Sequence, residues 1–266
     1  VAEIARALRL YWVLQRATMR GALQYRLNTV ISVVTGAVYQ GSGFAFVWVV
    51  MHTFPSMGGW SLREIAFLYG LRLTAHALCM LPLSSLIGLE WLVREGELDR
   101  VLLRPLNPLV QVMTKRMGMG QVGDLLTGVV LLIVAAPPWN LAMIGFCVPA
   151  VVGGALVEAS FHLSLSSLSL RMLDTRALRG FLDDVFSKFG SYPMSVFGGV
   201  TQWVLTFVLP VAFVAYMPAS VLLDKTGSLN VPALVAYGSP LLGVALFALA
   251  YRVWERQLRH YQSSGT

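Results

Sequence analysis

Six apolar stretches, at about residues 28–50, 65–89, 120–137, 141–170, 195–217 and 231–251, set the terms on which this chain can fold. Each runs to about 18 residues or more, enough for an α-helix to cross a hydrocarbon core of roughly 30 Å. Lipid offers no water to satisfy backbone N–H and C=O groups, so segments of this length must cross as helices. The expected fold is therefore all-α, a polytopic membrane protein with six transmembrane helices forming one domain over residues 1–266. Composition agrees, since 56% of residues are hydrophobic and only 12% charged, against about 25% charged in soluble domains.

The basic residues orient such a bundle, because short loops rich in Lys and Arg stay in the cytoplasm. Arg6, Arg9, Arg16, Arg20 and Arg26 precede the first span, and Arg94, Arg100, Arg104, Lys115 and Arg116 lie between the second and third. Arg171, Arg176, Arg179 and Lys188 separate the fourth and fifth, and Arg252, Arg256 and Arg259 follow the sixth. Only Arg63 and Lys225 fall on the other side, with Arg72 inside the second span. Both termini are thus expected in the cytoplasm. The formal charge of +7 reflects this asymmetry and anionic lipid heads, and implies no nucleic-acid partner.

Before the first span, Ile4, Leu8, Tyr11, Trp12 and Met19 recur at helical spacing, with Arg6, Arg9, Arg16 and Arg20 on another face. This predicts an interfacial amphipathic helix over residues 1–26 that anchors the chain or flanks a cytoplasmic partner. A removable signal peptide is not expected, since a short apolar core with a small-residue cleavage site is missing. In the first span Ala37 and Gly41 have the small-xxx-small spacing of a close helix contact. Leu178, Phe181, Leu182, Val185 and Phe189 trace an apolar face in a cytoplasmic elbow over residues 171–193, with Arg176, Arg179, Asp183 and Lys188 facing elsewhere. Pro210, Pro218, Pro232 and Gly227 break the chain after the fifth span, predicting short or re-entrant helices in an outer segment, 218–231.

Residues 94–108, REGELDRVLLRPLNP, concentrate both signs of charge in a chain that otherwise avoids it. Glu95, Glu97 and Asp99 suit a helix start, where the dipole favours negative charge. Leu98, Val101 and Leu102 then share one face, and Glu97, Arg100 and Arg104 another. A two-faced helix ending near Pro105, within a cytoplasmic loop over residues 91–118, is suited to docking a cytoplasmic protein. Asn107 followed by Pro108 predicts a further N-capped helix continuing through Lys115 and Arg116 into the third span.

Ionisable residues inside spans are costly and functional by default. Arg72 and His76 are four apart in the second span and Glu158 and His162 four apart in the fourth, a candidate polar lining of a translocation path or a proton-sensitive site, the alternative being a neutral or internally paired structural contact. Asp124 reads as a helix-terminal interface residue. His52, His76, His162 and His260 are scattered without HExxH spacing, so no metal site is expected. Cys79 and Cys147 fall inside spans and read as packing. Ser164, Ser166, Ser167 and Ser169 read as interhelical hydrogen bonding, since no GxSxG elbow accompanies them. The run Asp224-Lys225-Thr226-Gly227 matches the phosphorylation core of P-type ATPases, but the chain lacks the large cytoplasmic domains of such a pump, and it has no GxxxxGK[ST] phosphate loop.

The pattern resembles the ABC-2 type permeases, type V-like subunits of bacterial ABC exporters. The resemblance rests on Gly59-Trp60, Glu64-Ile65 and Leu68-Tyr69-Gly70, and most specifically on Gly96-Glu97-Leu98-Asp99 with Leu102-Leu103-Arg104-Pro105-Leu106. It extends through Tyr192-Pro193, Pro210, Phe213, Pro218-Ala219 and Leu222-Leu223, and departs at Leu170-Arg171-Met172, where an aromatic pair is common. It implies a plasma-membrane subunit, paired with a second permease, identical or homologous. Separate nucleotide-binding subunits would carry ATP and Mg, with no cofactor in this chain. It assigns the ATPase-coupling helix to Glu95, Gly96, Glu97, Leu98, Asp99, Arg100, Leu103, Arg104 and Pro105. The cargo class implied is hydrophobic or amphipathic. Two competing readings are an ion- or proton-coupled secondary transporter using Arg72, His76, Glu158 and His162, and an intramembrane enzyme, which the missing nucleophile and metal constellations disfavour.

Overall fold

The computed structural model describes residues 2–172, 174–229 and 231–262, with side chains described from Arg9 onward, Ser228 excepted. Among these residues the regular structure is helical, apart from an isolated bridge between Met57 and Trp60. Helix α1 (Ala2–Gln24) leads into α2 (Arg26–Thr53). Helix α3 (Leu62–Leu83) runs through a 3-10 turn (Ser84–Gly88) into α4 (Leu89–Arg94), and the short α5 (Glu97–Leu102) and α6 (Pro108–Met113) follow. After α7 (Gly120–Ala135) and α8 (Leu141–Leu168), α9 (Arg176–Asp184) passes into a π turn (Val185–Phe189). Then come α10 (Gly199–Trp203) with its own π turn (Val204–Val208), α11 (Tyr216–Leu222), α12 (Ala233–Tyr237) and α13 (Ser239–Arg259).

Three helical stretches are long and apolar enough to cross a membrane: α2, the Leu62–Arg94 rod and α8. Gly199–Val208 and Val211–Leu222 make a fourth only when joined, and they meet at 72°. The expected span at 195–217 is therefore not one helix. Pro210 supplies no N–H to the ladder and its ring collides with the preceding turn, so the chain bends there, inside the expected span and not only after it. The expected third span shortens to the 16 residues of α7, which stops as Ala136 turns extended before Pro137 and Pro138. The expected sixth divides at Gly238 into α12 and α13, and α13 ends in the charged run Arg252, Glu255, Arg256 and Arg259.

Helices α2 and α7 meet backbone to backbone. A Cβ on Gly123 would fall 2.1 Å from the Val33 carbonyl oxygen, and one on Gly36 would fall 2.2 Å from that of Gly120. The seam expected at Ala37 and Gly41 is thus centred on Gly36, and Gly41 faces open space. Small residues serve here because van der Waals approach, not water exclusion, joins helices in lipid. The serines of α8 act differently from expectation: Ser164 and Ser167 donate to carbonyls of their own helix, and Ser166 reaches across to Leu86 O at 3.4 Å.

At the bundle end that carries Trp60, Ser61 and Glu64 form a capping box that starts α3. Arg63 closes α7 by donating to the carbonyl oxygens of Ala136 at 2.6 Å and Ala135 at 3.2 Å, charge placed where a helix leaves unpaired acceptors. Lys225 lies 3.1 Å from the Glu64 carboxylate and 5.3 Å from the Trp60 ring centroid, so the turn after α11 is fastened over the start of α3.

At the opposite end, Asn107 caps α6 as expected, its side-chain oxygen accepting from Leu109 and Val110 N–H. Helix α6 does not continue into α7, however. The Ser85 hydroxyl donates to Arg116 O and accepts from Arg116 N, both at 2.8 Å, and Ser84 accepts from Gly118 N, so residues 114–119 turn against the end of α3. In α1, Ile4, Arg6 and Leu8 lie outside the described side chains. Of the rest of its expected apolar face, Trp12 and Met19 are exposed, and the side that meets the bundle carries buried Gln15 and half-buried Thr18, whose hydroxyl donates to Thr114 O at 2.6 Å. The elbow also departs from its helical wheel. Leu178 and Phe181 are exposed, whereas Arg179, Leu182, Val185 and Phe186 are buried, so the buried face is turned toward Arg179 already within α9, ahead of the π turn that starts at Val185.

Candidate functional site

Two charged regions stand out. In the loop, Gly96 adopts φ +64 between α4 and α5, a left-handed conformation that costs glycine little. It lets the chain reverse at once, so that α5 lies with Leu98 and Val101 buried and Leu102 and Leu103 exposed, Leu103 at 85%. Leu102 therefore does not share a face with Leu98 and Val101, although its spacing predicted that it would, and those two turn inward. Glu97 pairs with Lys115 at 2.7 Å rather than with Arg100 or Arg104, and that hydrogen bond holds its carboxyl below the usual range. Helix α5 ends at Leu102, ahead of Pro105. Gln111 fastens the loop by donating to Val101 O and Leu106 O, and Asn107 donates to the Tyr251 hydroxyl on α13.

Glu90, in the helix just before this loop, is buried and anchors the elbow. Its carboxylate accepts from the Thr175 N–H at 3.2 Å and the Thr175 hydroxyl at 2.9 Å, and lies 3.4 Å from Arg176 Nε. The start of α9 is thereby tied to the segment that leads into α5. Sequence reading missed Glu90; an acid at the inner end of an otherwise apolar span was the available signal.

Within the bundle, the Arg72–His76 and Glu158–His162 pairs each share a helix face, and α3 packs against α8 so that three of the four meet. His76 Nδ1 and Glu158 Oε1 lie 2.5 Å apart, and His162 Nε2 lies 3.8 Å from the same oxygen. Asp183, expected to face away, comes within 3.7 Å of His162 Nε2 from the elbow, and burial raises its carboxyl above the usual range. Arg72 does not join this chain of contacts. It is 3% exposed, its Nε has no hydrogen-bond partner, and it lines a cavity of about 630 Å³ between α2, α3 and the elbow. Asp124 is buried beside an adjoining cavity of about 560 Å³ with Gln40 and His76, not set at an exposed helix terminus. Among the described residues no group of three His, Cys, Asp or Glu side chains has a metal-holding arrangement.

A long-helix bundle with a rigid charged loop at one end and a polar cavity between its spans fits a transport component. A family model described as ABC-2 family transporter protein matches residues 37–265. The chain belongs to the ABC-2 transporter family. It is thus a membrane-integral permease of an ABC transporter, a transport component rather than a catalytic one, and its family associates with an ABC ATPase subunit. No curated protein and no solved structure matches the chain.

Proposed function

We propose that this ABC-2 chain is the six-span permease half of an ATP-driven exporter of a hydrophobic or amphipathic cargo. Its spans are α2, the α3–α4 rod, α7, α8, the bent α10–α11 pair and α13, with both termini in the cytoplasm of a bacterial cell and a second permease copy or homologue beside it. ATP and Mg are held by the separate ATPase subunit. The observation that carries this reading is Leu103. It is a large apolar side chain, 85% exposed beside the less exposed Leu102, on a loop that buries Leu98 and Val101. Such a knob, with Arg100 and Arg104 beside it, is suited to a pocket on a cytoplasmic partner. The loop is braced by Gln111, Asn107 and the Lys115–Glu97 pair, so a push on α5 reaches α3, α13 and, through Glu90, the elbow. ATP-driven closure of the partner would thereby shift the spans between inward and outward access.

The test is copurification with the ATPase encoded alongside it. Leu103→Asp is expected to abolish association and ATP-dependent transport while leaving the melting temperature of the isolated permease unchanged. Normal association by that variant overturns the docking assignment. Transport that persists without ATP and collapses with the proton gradient would instead establish a secondary transporter working through His76, Glu158 and His162.

A further inference from the structure

The carboxylates around the larger cavity are already engaged. Glu158 is held by His76 and His162, Asp183 stands against His162, and Asp184 pairs with Lys188 at 2.9 Å. Asp124 is hydrogen-bonded to Gln40, and both it and Glu158 act on Arg72 through space without forming an ion pair with it. The guanidinium of Arg72 is the group left over. It is buried, makes no ion pair among the described residues, and faces a space large enough for a drug-sized molecule. A buried cation with no ion pair at membrane depth is expensive, and an anion brought into contact with it relieves that cost. The remaining wall is amphipathic. Tyr39 lines it with a hydroxyl, those of Tyr69, Ser187 and Ser191 donate to backbone carbonyls, and Phe46 and Ile87 offer apolar surface.

We propose that this cavity binds the anionic head group of an amphiphile, a carboxylate or phosphate on an apolar chain, with Arg72 as its counter-ion and the chain lying along Phe46 and Ile87. The proposal names a cargo class for the exporter proposed above and rests on that reading for transport, though not for binding. A cationic cargo is disfavoured because every carboxylate in the cavity wall has its own imidazole or ammonium neighbour. The guanidinium fork suits either oxyanion, since both present paired acceptor oxygens.

Binding is read without ATP or partner. The full-length permease in nanodiscs of uncharged lipid is titrated with dansyl-undecanoate, and emission is followed. Dodecanoate and dodecyl phosphate are expected to displace the probe, whereas dodecanol, dodecyltrimethylammonium, acetate and inorganic phosphate are not. Arg72→Gln should weaken binding by about tenfold or more, the loss of one charge-assisted contact, with Arg72→Lys falling between. Ser187→Trp, which fills the cavity from the elbow and leaves Arg72 in place, should weaken binding similarly, and it keeps the test decisive where Arg72→Gln does not fold. Equal competition by the uncharged or cationic chain overturns the anionic assignment, and equal competition by acetate or phosphate overturns the amphiphile. Unchanged affinity in Ser187→Trp overturns the location. Absent binding by a permease that still assembles with its ATPase defeats this inference alone, whereas binding without assembly defeats only the exporter reading.

Discussion

In the loop at 94–108 the charges lie outside and the packing inside, whereas between α3 and α8 the charges are themselves the packing. Glu97 and Lys115 meet at the surface over buried Leu98 and Val101. Glu158 is 1% exposed and its neighbours are His76 and His162. An ion pair in water is nearly compensated by hydration, so the loop's shape rests on its apolar anchors. A carboxylate in the bundle has no such alternative, so its shape rests on its partners.

The sharpest break of this contrast is Glu158→Ala, which removes the acceptor of His76 Nδ1 and the charge beside buried His162, and should destabilise the permease by about 3–5 kcal/mol, read as thermal unfolding in detergent. Replacing the pair together, His76→Phe with Glu158→Leu, should recover most of that loss, because well-packed apolar residues substitute for a buried pair at little cost. If the double variant is as unstable as the single, the charges have a role beyond mutual compensation. In the loop, Leu98→Ala is expected to cost about 2–3 kcal/mol through a cavity under α5, by the same measurement. Lys115→Ala should leave the melting temperature unchanged. What the pair contributes is present at neutral pH and fades as acid protonates Glu97 through its lowered pKa, so any difference between Lys115→Ala and the parent should vanish in acid. A larger loss for Lys115→Ala than for Leu98→Ala would reverse the contrast.

The two regions were unequally legible. Length and apolarity sufficed for α2, the α3–α4 rod and α8, and Asn107-Pro108 marked the start of α6, because these are local properties. The i,i+4 spacing placed Arg72 with His76 and Glu158 with His162 on shared faces, but only packing decides which faces meet, and it drew His76 to Glu158 while leaving Arg72 to the cavity. Asp183 was placed on the polar side of the elbow, but which neighbour that side meets is set by the docking of α9 against α8, and its contact with His162 spans 21 residues of sequence. Glu90 and Thr175 are 85 residues apart, a separation no periodicity reports. The bend at Pro210 was signalled by the proline itself, yet the apolar run around it read as continuous.

In the six-span arrangement proposed above, the short α7 has a consequence for the surrounding bilayer. Its 16 residues rise about 24 Å, less than a hydrocarbon core of roughly 30 Å, and Leu126, Val130, Ile133 and Val134 present that reduced height on its exposed side. Acyl chains beside this helix must compress to keep its polar ends wetted, at a cost that grows with each ångström of mismatch. In that arrangement lipids with shorter tails are expected to gather along α7, which would make the thickness of the host membrane a variable in how easily the protein changes shape.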